Sequence, residues 1–494
     1  EAVGGERSPF GLELGVSYPR PDVDRMVARA GEAAVAWRRA SREARTGVCL
    51  EILHRLNRRS FELAFAVMHT TGQGFMMAFQ AGGPHAQDRG LEAVAYAWQE
   101  MGRTPERATW SKRVGRDETI TLEKTYRIVP RGIGLVIACS TFPTWNSYPA
   151  IFADLATGNA VIVKPHPGAI LPLAITVEIC REVLREAGFD PDVIQLAPDT
   201  ADAPITGELA LRPEVGIIDY TGGNAFAEWL EEHARHAVLF TEGAGVNSII
   251  VDSIEDMRAV SGNIAFTLSL YSGQMCTTTQ NIFIPRSGIT VGGEPMSFDE
   301  VAGAIVKAVN WLLGDPKRGA EILGAVQNEA TLARVAAARD AGGRVLREPA
   351  PVENEQFPGA RLASPLILAV DAADASQREL FGREAFGPIT YIVATDSTEQ
   401  SIEIATDLAR EQGAITCGLY STDAETIARA EEATALAGVP LSVNLTGGIF
   451  VNQAAAFSDF HVSGGNPAGN ATLCDGAFVA GRFRVVQSRI PVPA

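Results

Sequence analysis

Residues 132–165 read GIGLVIACSTFPTWNSYPAIFADLATGNAVIVKP. Two apolar runs, 132–140 and 159–165, enclose a helical segment that begins near Pro143. Continuous apolar runs of this length are typical of strands buried on both faces, and a helix between them allows the second strand to run parallel to the first. The stretch therefore predicts a βαβ unit, and with it a parallel sheet.

The same alternation continues along most of the chain. Gly188 ends one of the further helices, and Asn224 is a good N-cap for another. The further predicted helices are 168–187, 224–235, 298–312 and 327–341. The further predicted strands are 192–198, 215–223, 237–245, 247–252, 281–286, 363–371, 387–396, 414–423 and 440–445. We therefore predict an α/β protein with two doubly wound parallel-sheet domains that meet near residue 250.

The two ends of the chain follow other patterns. Apolar residues at helical spacing cover 22–45, 47–70 and 87–102. Segments 117–130 and 478–491 alternate as strands do. We expect these two strands to pair as a small appendage whose open edge meets a partner subunit.

Composition and charge disfavour several classes of function. A chain of 494 residues suggests about three domains, and 46% hydrophobic residues suffice for large cores. The net charge of −17 disfavours binding to nucleic acid phosphates. No apolar run approaches the ~18 residues of a membrane span, and the first residues lack the apolar core of a signal peptide. We expect neither a nucleic acid nor a membrane partner.

The six cysteines form no Cys-x-x-Cys pair and no cluster at zinc spacing. This usage fits free thiols in a reducing compartment, so we expect a cytoplasmic protein without a bound metal. Cys276 lies in YSGQMCTTTQNI (271–282), between a glycine turn and an apolar strand. It is either a small buried residue or a nucleophile, and a thiol with a pKa near ~8.5 needs a base to react at neutral pH.

Glu242, in FTEGAGVN (240–247), is the candidate base, although a solvated loop acid fits the spacing as well. The following glycines allow close approach to other backbone. YTGGN (220–224) ends a strand and opens a helix, where backbone N–H groups can hold a phosphate. An ordinary tight turn is an equal alternative, because Ala227 stands where the last glycine of the dinucleotide fingerprint would be.

Taken together, these segments resemble the aldehyde dehydrogenase superfamily, in order, from about residue 20 to the C-terminus. GQMC (273–276) resembles the nucleophile loop of that family, and TEGAG (241–245) resembles its general-base motif. The resemblance implies that Cys276 attacks an aldehyde to form a thiohemiacetal, which is oxidised to a thioester. It also implies that Glu242 activates the water that hydrolyses this thioester to a carboxylic acid.

The resemblance further implies a cofactor, NADP or NAD. KPHP (164–167) resembles a Lys-Pro strand end, so Lys164 would bind the adenosine ribose; EAFGP (384–388) resembles the motif in which Glu384 and Phe386 hold the nicotinamide ribose. The remaining implied cofactor residues are Thr221, Gly222, Gly223 and Pro167. Pro167 replaces the Glu of NAD-specific relatives, so no carboxylate repels a 2′-phosphate and we favour NADP.

The resemblance also implies how the domains divide. Residues 1–116 and 131–246 would form the cofactor-binding domain with N-terminal helices, and 247–457 would form the catalytic domain that carries the nucleophile. Segments 117–130 and 458–494 would bridge subunits of a homodimer or homotetramer.

One departure from the family pattern concerns the oxyanion. The family places an Asn where TFPTW (141–145) has Thr141. The Thr141 hydroxyl can still donate one hydrogen bond, so we favour it over Asn146, which would lie more than a helical turn away. For the substrate tunnel, the residues flanking these motifs are Phe142, Trp145, Leu270 and Phe457, with a place in the core as the alternative.

More narrowly, four segments resemble the branch associated with phenylacetic acid degradation, namely residues 50–57, 69–90, 139–159 and 269–281. The implied substrate is the small-molecule aldehyde released by ring opening, which could carry CoA. Two alternatives stay open. One is a CoA-acylating dehydrogenase, against which the retained Glu242 speaks; the other is a catalytically silent binding or scaffold homologue.

Overall fold

A computed structural model describes residues 2–457, 461, 464–473 and 475–493. Of the predicted C-terminal segment 458–494, residues 458–460, 462, 463, 474 and 494 lie outside the described residues. The described residues form α-helices and β-strands that largely alternate along the chain. No helix in them is long and apolar enough to cross a lipid bilayer.

Nine described α-helices lie in the N-terminal half of the chain. The first five lie within about the first hundred residues, and the other four alternate with strands. The nine are α1 Val23–Trp37, α2 Arg42–Arg58, α3 Ser60–Thr71, α4 Phe75–Gly82, α5 Pro84–Gly102, α6 Pro143–Thr157, α7 Leu171–Glu186, α8 Thr206–Ala210 and α9 Asn224–His233. Those of the C-terminal half are α10 Met257–Ser269, α11 Phe298–Leu313, α12 Pro316–Leu323, α13 Glu329–Ala341, α14 Arg378–Phe381, α15 Thr398–Gln412, α16 Ala424–Ala437, α17 Val451–Ala456 and α18 Gly476–Ala480.

The strands also divide into two sets along the chain. The first set is β1 Ala2–Val3, β2 Tyr18–Pro19, β3 Arg107–Arg113, β4 Thr119–Pro130, β5 Ile133–Ile137, β6 Ala160–Lys164, β7 Ile194–Leu196, β8 Val215–Thr221 and β9 Val238–Glu242. The second set is β10 Ser248–Val251, β11 Ser253–Ile254, β12 Asn281–Pro285, β13 Ile289–Val291, β14 Glu294–Met296, β15 Arg344–Arg347, β16 Leu366–Asp371, β17 Ile389–Thr395, β18 Cys417–Tyr420, β19 Leu441–Val443 and β20 Phe483–Pro491.

Two large α/β sheets confirm the predicted fold class. The described strands build a parallel five-stranded sheet in the order β7-β6-β5-β8-β9. They also build a seven-stranded sheet in the order β15-β16-β17-β12-β10-β18-β19, in which the β15–β16 pair is antiparallel. In the first sheet the strand order reverses between β5 and β8, and ligands of such sheets bind at the carboxyl ends of the strands beside this point.

The predicted appendage is present as a third sheet. Strands β20, β4 and β3 pair antiparallel, and Phe483 lies opposite Pro130 in the register. The strand predicted for 478–491 begins only at Phe483. Its first predicted residues belong instead to the short helix α18, which Asp475 caps by accepting a hydrogen bond from the N–H of Phe478.

A buried ion-pair network attaches this appendage to the five-stranded sheet. The guanidinium of Arg482, which is fully buried, donates to Asp154 at 2.9 Å and to both oxygens of Asp219 at 2.8 and 2.5 Å. The two buried carboxylates share this one guanidinium, and removing a partner of this kind leaves a buried charge uncompensated. Asp154 lies on α6 and Asp219 on β8. Arg482 directly precedes β20, so the network joins the appendage to a helix and to a strand of the five-stranded sheet.

The N-terminal helices are shorter and more numerous than predicted. The helix predicted for 22–45 ends at Trp37, and a new helix begins at Arg42, where the Ser41 side chain accepts from the N–H of Ala44. The helix predicted for 47–70 breaks at Arg59, whose φ of −107° is not helical. Apolar spacing continues across both breaks because the separate helices face the same core, so periodicity alone does not reveal the breaks.

Candidate active site

The loop that carries Cys276 is held in a strained conformation. Tyr271 and Ser272 have φ values of 52° and 49°, in the left-handed region that side chains disfavour. Gly273 follows with φ 65°, and a Cβ there would lie 2.4 Å from the carbonyl oxygen of Gly387. The sequence SGQMC therefore folds this way because glycine alone fits beneath the Phe-Gly-Pro turn.

Asn247 fixes the backbone of this loop beyond the nucleophile. Its side-chain amide donates to the carbonyl oxygens of Cys276 at 2.7 Å and Thr278 at 3.0 Å. Its oxygen accepts from the N–H groups of Ile415 and Thr416 at 2.9 and 3.1 Å. One buried amide thus joins the nucleophile loop to the segment that leads into β18.

The thiol of Cys276 lies beside two other reactive groups. Its Sγ is 3.6 Å from Nε2 of His461, and the same Nε2 is 2.9 Å from Oε1 of Glu242. The second carboxylate oxygen of Glu242 accepts from the amide of Asn146 at 3.2 Å. Nδ1 of His461 lies 3.1 Å from the carbonyl oxygen of Ala455, and it donates a hydrogen bond to this oxygen when Nδ1 carries a proton. Sulfur, imidazole and carboxylate therefore form one contiguous group.

Burial and the neighbouring Glu242 carboxylate hold the pKa of the Cys276 thiol well above its ordinary value. A thiolate at this place therefore depends on a nearby positive charge. The nearby Cys139 thiol behaves similarly, because burial raises its pKa to about 11.

A cavity opens at the sulfur. The described lining residues are Met77, Gln80, Ala81, Phe142, Trp145, Asn146, Met275, Cys276, Thr277, Gln453, Ala456, Phe457 and His461. Three of the predicted tunnel residues, Phe142, Trp145 and Phe457, thus meet at the nucleophile. Leu270 is not among the described residues that line it and is buried in the hydrophobic core, so its prediction as a tunnel residue is corrected.

Cys276 also lines a second cleft. Glu384 and Phe386 line this cleft, together with Asn247 and Thr278. Burial raises the pKa of the Glu384 carboxyl to about 7, against the opposing effect of the Arg334 guanidinium. The structure therefore places the predicted nicotinamide residues and the predicted tunnel aromatics in two clefts that share Cys276.

The predicted phosphate turn lies next to Glu242. The N–H of Gly222 donates to the carbonyl oxygen of Glu242 at 3.0 Å, and Thr221 lines a third cavity of about 310 Å³ with Glu242 and Asn146. Gly223 precedes α9, and among the described residues no side chain caps this helix or fills the space beside Gly223. Its first N–H groups are therefore open to an anion.

Residues 17–466 match the family model described as "Aldehyde dehydrogenase family". This chain belongs to the aldehyde dehydrogenase family. As a member, this aldehyde dehydrogenase is an oxidoreductase that acts on aldehydes. The family resemblance drawn from the five sequence motifs is confirmed, whereas the phenylacetic acid branch stays a prediction.

Three relatives show how similar this aldehyde dehydrogenase is to known proteins. It is 27% identical over 417 residues to an N-succinylglutamate 5-semialdehyde dehydrogenase of Burkholderia lata, with 83% of this chain and 79% of that protein covered. It is 23% identical over 470 residues to a 1-pyrroline-5-carboxylate dehydrogenase of Bacillus subtilis, with 92% and 85% covered. A crystal structure of an NAD-dependent aldehyde dehydrogenase from Burkholderia multivorans matches with a TM-score of 0.97 at 57% identity, covering 100% of this chain and 88% of that one.

Two predicted site residues of the aldehyde dehydrogenase have unexpected surroundings. Asn146 lines the Cys276 cavity from the first turn of α6, whereas Thr141 is not among its described lining residues and its carbonyl accepts from Gln73 at 2.7 Å. The preference for Thr141 over Asn146 is therefore corrected, because α6 begins at Pro143 and its first turn directs Asn146 inward. Lys164 is buried and paired with Asp199 at 2.7 Å.

Sequence reasoning missed Asp199, Asn247 and His461. Asp199 directly follows a predicted strand, and Asn247 begins one and ends the stretch FTEGAGVN (240–247), but neither was assigned a role there. His461 follows Phe457 by four residues, and that proximity to a predicted tunnel residue was the available signal. Its contacts to Cys276 and Glu242 span 185 and 219 residues, a separation at which sequence spacing carries no information.

Proposed function

We propose that this aldehyde dehydrogenase oxidises a neutral, largely apolar aldehyde to a carboxylic acid, with NAD as the acceptor. One observation carries the proposal: Cys276 lies on the wall between two cavities. The larger has aromatic walls suited to a substrate chain, and the smaller contains Glu384 and Phe386. A nucleophile in this position can hold an aldehyde beside a cofactor ring.

The residues present fit a nicotinamide dinucleotide. The uncapped N-terminus of α9, preceded by Gly222 and Gly223, would hold the diphosphate, and Glu384 with Phe386 would hold the nicotinamide ribose. The bound dinucleotide supplies the hydride acceptor. The Lys164 charge is neutralised by Asp199, which leaves it a poor partner for a 2′-phosphate. We therefore revise the preference for NADP toward NAD, in keeping with the NAD-dependent relative from Burkholderia multivorans.

The side chains of the site would act in sequence. The Cys276 thiolate attacks the carbonyl carbon and forms a thiohemiacetal, and the amide of Asn146 can donate to the developing oxyanion. After oxidation to the thioester, Glu242 removes a proton from the attacking water and the carboxylic acid leaves. Asn247 keeps the nucleophile loop in place throughout.

The cavity supports the neutral class of substrate. None of the lining residues that the structure describes is Lys or Arg, so no ammonium or guanidinium group there would recognise a substrate carboxylate. Phe457, at 44% exposure, stacks on His85 at 4.4 Å. The resemblance to the phenylacetic acid branch supports a ring-opened semialdehyde. The acyl part of such a substrate, which would enter the cavity, is neutral when it ends in a CoA thioester, because the negative charges then belong to the CoA phosphates. Residues at the Phe457 edge would then face the thioester end.

The test follows cofactor reduction with a panel of aldehydes, with and without CoA. The panel contrasts neutral aryl and alkyl aldehydes with semialdehydes that carry a carboxylate. We expect turnover with neutral aldehydes, independence from CoA, and complete loss in Cys276→Ala but not in the matched variant Cys417→Ala, whose cysteine lies on β18. Glu242→Gln should accumulate a thioester on Cys276, visible by mass spectrometry.

Each other result points elsewhere. Turnover that requires CoA would instead identify a CoA-acylating dehydrogenase. If carboxylate-bearing semialdehydes are preferred, the neutral substrate class is wrong. If the protein binds the dinucleotide but oxidises no aldehyde, it is a catalytically silent binding or scaffold homologue.

A further inference from the structure

Three potential metal-binding atoms meet at the nucleophile. They are Sγ of Cys276, Nε2 of His461 and a carboxylate oxygen of Glu242, and within the described residues they lie within 4.8 Å of one another. His461 and Glu242 are almost fully buried, at 1% and 4% exposure. Three elements far apart in sequence thus bring a sulfur, a nitrogen and an oxygen to one point.

The spacing of these atoms suits a tetrahedral metal ion. With a zinc–sulfur distance of ~2.3 Å and a zinc–nitrogen distance of ~2.0 Å, the tetrahedral angle separates the two ligand atoms by about 3.5 Å. The distance between Sγ and Nε2 is 3.6 Å. Nε2 and Oε1 are 2.9 Å apart, and the sulfur lies within 4.8 Å of a carboxylate oxygen, so a metal ion requires the Glu242 carboxylate to move away from Nε2 and toward the sulfur.

The hydrogen bonds around His461 and Glu242 resemble the outer partners of a metal site. Nδ1 of His461 is 3.1 Å from the Ala455 carbonyl, and a proton on Nδ1 leaves the lone pair of Nε2 directed at Glu242. A lone pair facing a carboxylate oxygen needs a positive charge between them, either a proton or a metal ion. Metal-bound histidines use such a carbonyl partner, and bound carboxylates are themselves hydrogen-bonded, as Glu242 is to Asn146.

The site also leaves room for a fourth ligand. Cys276 and His461 both line the cavity at the sulfur, so water can reach the open coordination position. Three protein ligands with one open position are typical of the zinc sites that keep a bound water. The thiolate and imidazole favour zinc over the magnesium and calcium ions that prefer all-oxygen sites.

We propose that Cys276, His461 and Glu242 bind a zinc ion, and that the zinc-bound form cannot oxidise aldehydes. Binding releases the thiol proton and the proton shared by His461 and Glu242, and changes no oxidation state. The ion occupies both the nucleophile and the general base, so zinc blocks turnover and protects the sulfur until a chelator removes it. The inhibition rests on the proposed function, whereas the binding site does not.

This site differs from the expectation that the protein binds no metal. That expectation came from cysteine and histidine spacing within the sequence. Here the ligands come from the end of β9, the loop before β12 and the segment after α17. Sequence spacing detects zinc sites only where the ligands are close along the chain.

The test uses cobalt(II) as a spectroscopic probe on the chelator-treated full chain. We expect one equivalent of cobalt to produce visible d–d absorption with a near-ultraviolet thiolate-to-cobalt band, and zinc to displace it. Cys276→Ser should lose the thiolate band, and His461→Ala should weaken cobalt binding by more than about tenfold, since losing even an outer partner of a ligand reduces metal affinity ~10–100-fold. The matched variant Cys139→Ser should keep both the band and the affinity.

A second measurement needs no variant. Zinc should slow the alkylation of Cys276 by iodoacetamide, quantified by mass spectrometry of the peptide, and excess chelator should restore the rate. Absence of a thiolate-to-cobalt band in the wild type, or equal cobalt affinity in Cys276→Ser, overturns the zinc site. Cobalt binding in a protein that oxidises no aldehyde would instead overturn the proposed function and leave the metal site standing. Turnover that is insensitive to zinc would overturn the inhibition.

Discussion

The side-chain amide of Asn247 donates to the carbonyl oxygen of Cys276 at 2.7 Å, directly beside the predicted nucleophile. The same side chain donates to Thr278 and accepts from two backbone N–H groups near β18. All four hydrogen-bonding positions of the amide are therefore used, and an amide satisfied this fully in the protein interior holds its neighbours in one arrangement.

Asn247→Asp should lower kcat without unfolding the protein. The carboxylate cannot donate to Cys276 and Thr278, so two buried carbonyls lose their partners, at ~1–3 kcal/mol each. We expect kcat to fall by about tenfold or more, because the sulfur moves out of line with the carbonyl carbon. Steady-state kinetics and a thermal melt check this. Asn328→Asp is the control, since Asp serves equally well as the N-cap of α13; equal kcat in both variants would contradict the role of Asn247.

Gly273→Ala should disturb the nucleophile loop. The residue has φ 65°, and a Cβ would lie 2.4 Å from the backbone oxygen of Gly387, which cannot move away freely. The left-handed conformation alone costs ~1–2 kcal/mol for an alanine, and the contact adds to it. We expect a lower melting temperature and slower turnover.

Gly262→Ala is the matched control for this change. Gly262 lies exposed in α10 with open space around its Cβ position, so alanine there should be neutral or should stabilise the helix by up to ~1 kcal/mol. If both glycine variants melt at the same temperature, the close approach to Gly387 does not constrain the loop.

Arg482→Met should destabilise the whole protein. It removes the partner of Asp154 and Asp219 and leaves two buried carboxylates near one another. Breaking a buried ion pair from one side costs ~3–5 kcal/mol. Chemical denaturation measures the free energy of unfolding. Arg484, two residues further on, is exposed, so Arg484→Met should change the free energy of unfolding by less than ~0.5 kcal/mol. A similar loss of stability in the two variants would show that the ion-pair network does not stabilise the protein.

Dinucleotide affinity should depend on pH through Glu384. Burial raises the pKa of this carboxyl to about 7, so it is largely neutral below that pH and ionised above it. The ionised form accepts stronger hydrogen bonds from ribose hydroxyls. We therefore expect NAD to bind more tightly at about pH 8 than at about pH 6.

Glu384→Gln should remove this pH dependence, because the amide does not titrate in the range. Fluorescence titrations with NAD at the two pH values measure it. The exposed neighbour Glu379→Gln should keep the wild-type dependence. A pH dependence that persists in Glu384→Gln would assign the titration to a different group.

The alternating elements were predictable because burial and backbone period are local properties. The apolar runs around Leu135 and Ile162 are β5 and β6, and the helix between them begins at Pro143 as its sequence predicts. The breaks at Arg38 and Arg59 were not predictable, since the helices on both sides turn apolar faces to one core.

The sequence by itself determined the α/β class and the pairing of segments 117–130 and 478–491, and it predicted Cys276 and Glu242 as site residues, because each has a local signal in period or motif. Only the tertiary structure decided that His461 lies between them, that Asn146 rather than Thr141 faces the thiol, and that Asp199 neutralises Lys164. These relationships join atoms brought together by the packing of separate elements. No local rule of spacing encodes them, because the distance between two side chains in space depends on how the whole chain folds.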